Sequence, residues 1–358
     1  MAQPQRSATR ADVVSSGSGA RRGRFPGWLA MVVAAAALIG LARITSTEPA
    51  PTPQTPAPRP SPRAITTPAV DQQQHGLPLG DVTGVVLDVR LAGGAMFFVE
   101  TPPTRLVRMS PDGRIEAVHA APVNADRVAV DIFRNMVWVW TSSRPSTIAR
   151  AYDARTLRPL GRSRIPEETF GGAAYGGRLW LGAAVDFIRL APGGRPQRIV
   201  SANYVFDAAA DPARRRVLAA LGDAVAGYDA RTLQLVARQP LTLSKPSLAV
   251  VGDSVWVGGF SDSGRKVLRL DARTLRPAPR RDQPDVGVGP GAIVWPGART
   301  VFVRDGGSEE LTCVDGDTGA TLARWEGIMG PVAAQNGKAF AVVGQGLVPL
   351  LLGPRCAG

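Results

Sequence analysis

Few side chains in this chain of 358 residues are equipped for chemistry. Histidine occurs twice, at His75 and His119, and cysteine twice, at Cys313 and Cys356. The sequence has no Gly-x-x-x-x-Gly-Lys-Ser/Thr phosphate loop, no Gly-x-Ser-x-Gly nucleophile turn, no His-Glu-x-x-His and no Cys-x-x-Cys. What recurs is an acidic turn. Residues 152–162 read YDARTLRPLGR, 228–238 read YDARTLQLVAR, 270–280 read LDARTLRPAPR, and a worn copy, VDGDTGATLAR, occupies 314–324. Each copy pairs an acid with a hydroxyl: Asp153 with Thr156, Asp229 with Thr232, Asp271 with Thr274, and Asp315 with Thr318. Such oxygens could meet a ligand. They also have a local use, because Asp accepts hydrogen bonds from the N–H groups just after it and Thr returns one, closing a turn without glycine. A pair that returns once per structural unit is read as architecture, and the four pairs are assigned to turns.

The unit itself shows in a second pattern of the same period. Short β-branched and aromatic runs, each introduced by a turn, begin at Ala95, Met136, Arg178, Arg216, Ser254, Thr300 and Lys338, spaced 41, 42, 38, 38, 46 and 38 residues apart. Degenerate turns at 110–113 (SPDG) and 191–194 (APGG) fill the gaps between the acidic ones. Seven copies near 40 residues, with four strand-sized segments each and no 3.6-residue periodicity, require an all-β, seven-bladed β-propeller. Blade 5 divides into PSLAVVG, SVWVGG, KVLRLD and RPAPR, which puts the acidic turn between the third and fourth strands. Trp138, Trp140, Trp180, Trp256 and Trp295 fall in or beside strands and are read as packing between blades.

The propeller occupies residues 72–358, and what precedes it is of other kinds. Residues 1–24 form a basic tail with Arg6, Arg10, Arg21, Arg22 and Arg24. Residues 25–43 hold the apolar run GWLAMVVAAAALIGLA, near the lower length limit for a membrane span. The arginines keep the tail cytoplasmic and send the remainder across, so the expectation is an uncleaved single-pass signal-anchor, with a cleaved export signal as the alternative. Residues 44–71 are a linker; 48–68 carry eight prolines in 21 residues and favour an extended polyproline spacer. The formal charge of +13 excludes less than it suggests, because +6 of it lies in residues 1–68 and the rest is Arg scattered through turns. No stripe of cations interleaved with aromatics is present, and nucleic acid is not expected as a partner. After GLVPLLLG too little chain remains for a fourth strand in blade 7, so residues 73–81, QQHGLPLGD, are expected to supply its outermost strand and close the ring. Continuation of the stalk is the alternative.

Runs such as LWLG or VWVG followed by RLDARTL resemble the repeats of YVTN, NHL, streptogramin-lyase-like and quinoprotein-like propellers over roughly residues 81–354. The resemblance implies the repeat architecture and leaves activity open. A lactonase-like relative would need a metal held by carboxylates and amides, for which Asp131, Asp186, Asn203, Asp207 and Asn336 could lie near the axis. A lyase would need a channel histidine, yet His119 belongs to an outer strand. A quinoprotein dehydrogenase is suggested only by the Asp-x-x-Thr-Gly copy at 315–319 with Trp325, and adjacent cysteines are lacking. No catalytic, cofactor-binding or metal residue is therefore assigned, and no cofactor is expected. The reading is a membrane-anchored extracytoplasmic propeller that binds a protein, glycan or small ligand; the alternative is a channel-site hydrolase, lyase or dehydrogenase. Cys313 and Cys356, the only cysteines and both on the exported side, are expected to form a disulfide.

Overall fold

The computed structural model describes residue 82 and residues 84–357, except 143–144, 202, 262–266, 280–282, 284–285 and 287–290. The basic tail, the apolar run 25–43, the proline-rich linker and the closing strand expected at 73–81 lie outside the described residues. Among the described residues no helix is long and apolar enough to cross a membrane.

Consecutive strands pair antiparallel into seven sheets, and each sheet packs its first strand against the first strand of the next. The last sheet packs on the first, so the ring is closed. The second strands are Ala95–Thr101, Met136–Trp140, Arg178–Ala183, Arg216–Leu221, Ser254–Phe260, Thr300–Asp305 and Lys338–Val343, beginning where the repeated apolar runs begin. They are nearly continuous in apolar residues because both faces of each sheet are covered by neighbouring blades. Trp138, Trp140, Trp180 and Trp256 fill these interfaces at no more than 1% exposure. Blade 7 closes on blade 1 through Phe340, Val342 and Leu347 against Val86, Met96 and Phe98, and the Val86 N–H donates to the Gln345 carbonyl at 3.2 Å.

Blade 5 departs from the sequence expectation. Of RPAPR, residues 276–279 make one isolated bridge, Leu270 to Pro277, and blade 5 has three strands among the described residues. Proline has no N–H to offer a ladder, and two of the five residues are Pro. The Gln283 side chain substitutes for the missing backbone: its amide nitrogen donates to the Arg269 and Ala278 carbonyls, and its oxygen accepts from the Arg269 N–H at 2.9 Å. Blade 7 has three strands among the described residues.

In each acidic turn the Asp Oδ1 accepts the N–H groups two and three residues on and the Thr hydroxyl, at 2.6–3.1 Å. Hydrogen bonding of this kind lowers the carboxyl pKa; at Asp271 the Thr274 hydroxyl and N–H lead, and at Asp153 they outweigh the opposing effect of burial. The fifth residue takes a left-handed backbone, with φ of 55°, 66° and 59° at Leu157, Leu233 and Leu275, and Gly319 at 77° in the worn copy. A leucine there costs about 1 kcal/mol of strain. Leu157 and Leu275 offset it by being fully buried between blades. The second residue latches two blades: the Ala230 carbonyl accepts from Arg189, the Ala272 carbonyl from Arg216 and the Gly316 carbonyl from Trp256 Nε1, each donor lying in the preceding blade.

The chain ends in a short helix, Pro354–Ala357, whose buried Cys356 is disulfide-bonded to Cys313 in the third strand of blade 6, with Cα atoms 6.4 Å apart.

Candidate functional site: the upper mouth of the central channel

Strand directions alternate, so all seven first strands begin on one face, here called upper, and all acidic turns lie on the lower face. The repeated Asp and Thr residues are therefore remote from whatever the upper mouth contacts. Counting along the strand registers, Asp88, Arg127, Gly171, Asp207, Ser247 and Ile293 occupy one level of the first strands of blades 1 to 6. Three of them tie neighbours together across the blade boundary: the Val128 N–H donates to Asp88 Oδ2 at 3.0 Å, the Leu248 N–H to Asp207 Oδ2 at 2.9 Å, and the Val294 N–H to Ser247 Oγ at 3.2 Å. Gly171 is needed because a Cβ there would collide with the Asp207 carboxylate.

Below this level the wall is mostly small, with Ala129, Ala173, Ala208, Ala249 and Ala334 among its residues, and the channel and its mouth together hold about 740 Å³. At and above it the wall turns aromatic and cationic. Phe170, Phe206 and Tyr204 pile together with ring centroids 5.9–6.2 Å apart, and Tyr204 is half exposed. Phe260 is exposed at the end of its strand, with the Lys245 ammonium 5.8 Å over its ring. Arg304 lies 5.8 Å over the face of Trp295. Desolvation lowers the Arg304 pKa, marking a guanidinium drawn partly out of water. Lys245 takes φ of 47° within a bulge of its strand, an uncommon conformation for a side chain of its kind. Arg90 is paired with Asp88 at 2.8 Å.

Of the five oxygen-bearing residues considered for the axis, only Asp207 reaches the channel. Asp131 caps a lower-face turn and accepts the Gly177 N–H at 2.6 Å; Asp186 pairs with Arg198; Asn203 accepts the Tyr204 N–H; Asn336 sits in a lower-face turn with φ of 51°. No three Asp, Glu, His or Cys side chains converge among the described residues. His119 lies on the outermost strand of blade 1, against Tyr152. Trp295 packs against the core between blades 6 and 7, as expected, and like Trp140 also lines the channel. Arg127, Lys245, Arg304 and the aromatic pile were not singled out by sequence. A periodic signal does exist, because in blades 1, 2, 4, 5 and 6 the residue paired with the fifth position of the second strand lines the channel.

Burial pushes the Asp207 carboxyl up to about 6, against the pull of the Leu248 and Ala208 N–H groups and of the Arg90 and Arg127 charges. A raised carboxyl pKa favours the fold below the ordinary value of 3.8, and that advantage is lost as pH rises through 6. Relative to Asp207→Asn, which does not titrate, the wild-type protein is expected to lose about 2–3 kcal/mol between pH 4 and pH 7. Urea unfolding of both proteins at several pH values checks this, and a pH-independent difference would contradict it.

No family model matches the chain, and no curated protein matches it in sequence. Solved structures do. The β-propeller domain of Cps50 (Swd1) from Myceliophteria thermophila is similar with a TM-score of 0.61 at 11% identity, over 75% of this chain and 98% of that one. Hydrazine synthase from Kuenenia stuttgartiensis gives 0.59 at 12% identity, over 76% and 96%. The computationally designed Ika8 protein gives 0.54 at 10% identity, over 78% and 100%. At such identities the likeness concerns fold alone. The chain is a seven-bladed β-propeller, a fold used commonly as an interaction module.

Proposed function

We propose that the protein is a membrane-anchored, extracytoplasmic binding module of the YVTN- and NHL-like propeller kind, with the upper mouth of its channel as the binding surface. The observation that carries the reading is the mouth itself. Exposed aromatic rings and cations stand over an apolar shaft of a size that holds small ligands or a few side chains. The placement outside the membrane is supported by the basic tail ahead of a single apolar run. The channel-enzyme alternative has two carboxylates in the channel, Asp88 and Asp207, and both are already engaged by the blade scaffold, Asp207 by two N–H donors and Asp88 by two N–H donors and Arg90.

Protease added to intact cells is expected to release the propeller as a folded fragment. Protection of the domain while an outer-face control protein is cut would refute the placement.

A further inference from the structure

We infer that the upper mouth binds an acidic peptide segment of a partner protein, seating an apolar side chain on the aromatic arc and carboxylates on the flanking cations. The inference rests on the mouth being the binding surface. Around the axis the order is a cation in blade 2, Arg127; aromatic rings in blades 3 to 5, Phe170, Phe206 and Phe260; and cations again in blades 5 and 6, Lys245 and Arg304. An apolar centre bracketed by positive charge is complementary to an apolar side chain bracketed by negative charge.

Several arginines elsewhere in the ring are neutralised by an ion pair, and the three cations at the mouth are not. Arg105, Arg108, Arg198, Arg214 and Arg238 each have a carboxylate partner. Among the described residues Arg127, Lys245 and Arg304 have no hydrogen bond or ion pair to one. The carboxylates that line the same channel are already engaged, Asp88 by Arg90 and two N–H groups and Asp207 by two N–H groups. Arg304 and Lys245 are also held in place, each over an aromatic face, and Lys245 by a strained backbone that aims it at the mouth. Cations fixed in advance lose less freedom when a carboxylate arrives.

A glycan is the less suitable occupant. Sugar hydroxyls call for amide and hydroxyl partners, whereas among the described lining residues there is no Asn or Gln, and the hydroxyls at the mouth are those of Ser247, already accepting from Val294, and of Tyr204 at its outer edge. The alanine shaft beneath the arc suits an aliphatic or aromatic side chain.

The full chain in detergent micelles is to be panned against a random octapeptide display library. Arg127→Gln/Lys245→Gln serves as counter-selection, since both side chains are exposed and make no hydrogen bond or ion pair among the described residues; a melting temperature close to that of wild type confirms its integrity. The expected consensus has two or more Asp or Glu around an aromatic or aliphatic residue. The synthesised consensus peptide should lose on the order of 10-fold in affinity to the double variant and a similar factor to Phe260→Ser, with steep weakening in salt. A consensus without acidic bias, or an acidic peptide that binds the double variant as well as wild type, overturns the inference. Oligogalacturonate is titrated in parallel. If it binds wild type, fails on the double variant, and no peptide is enriched, the mouth is a binding surface and the peptide assignment is wrong. If neither ligand responds to the mouth variants, both readings fall.

Discussion

Replacing Arg216 with methionine is expected to lower the unfolding free energy by about 3 kcal/mol, because removing one partner strands a buried charge. Arg216 is 4% exposed and lies at the start of the second strand of blade 4. Its Nε donates to Asp211, itself 1% exposed, at 2.9 Å, and its terminal nitrogen donates to the Ala272 carbonyl in the acidic turn of blade 5. The substitution therefore leaves a buried carboxylate with only Arg214, at 3.2 Å, and removes a latch between two blades. Asp211→Leu/Arg216→Met should recover most of the loss, since both charges leave together and Arg214 keeps Asp253. Urea unfolding of the two single variants and the double variant yields the coupling energy directly. A loss under 1 kcal/mol for Arg216→Met would show that the latch does not bear on stability.

Removing the disulfide as Cys313→Ala/Cys356→Ser is expected to cost up to about 4 kcal/mol in the chain-entropy view, the bond closing a loop with a sequence separation of 43. The loop takes in the fourth strand of blade 6, Thr321–Trp325, and all three described strands of blade 7. Both sulfurs are buried within the interface between those blades, beside Phe302, Trp325 and Val348. In unreduced protein neither cysteine should react with an alkylating agent until denaturant and reductant are both added. Alkylation of both in the unreduced, unfolded chain would rule the bond out, and an unchanged urea midpoint in the double variant would remove its role in stability.

The blades were legible because two periodic signals agree: apolar runs beginning at Ala95 through Lys338, and acidic turns in phase with them. The turns were legible as turns because the Asp and Thr chemistry is local. The left-handed leucine was not, since nothing in the letters Asp-Ala-Arg-Thr-Leu shows that burial of Leu157 and Leu275 outweighs backbone strain. RPAPR has the position of a strand but its Pro residues oppose the ladder, and the substitute, Gln283, acts through a side chain at a distance in sequence. The mouth was the least legible part. Arg127, Phe170, Lys245 and Arg304 stand dozens of residues apart, and only the ring brings them to one rim. Of the metal-binding oxygens that the sequence offers for the axis, Asp207 alone faces it, and arginines scattered through turns carry no sign in sequence that three cations meet at the mouth.

One feature of the ring's closure has a mechanical meaning. Neighbouring blades from 1 to 7 are joined by the chain itself, and the disulfide adds a clasp that returns from beyond blade 7 to blade 6. Between blade 7 and blade 1, in contrast, the described contacts are the apolar faces around Phe340 and Phe98 and one backbone hydrogen bond at Val86. Among the described residues this boundary is held by apolar packing and that one hydrogen bond, so urea and low temperature, which weaken apolar burial, act on it directly. The first strand of blade 1 carries Asp88 and Arg90 to the rim of the mouth, and the shape of the rim on that side therefore rests on hydrophobic contact.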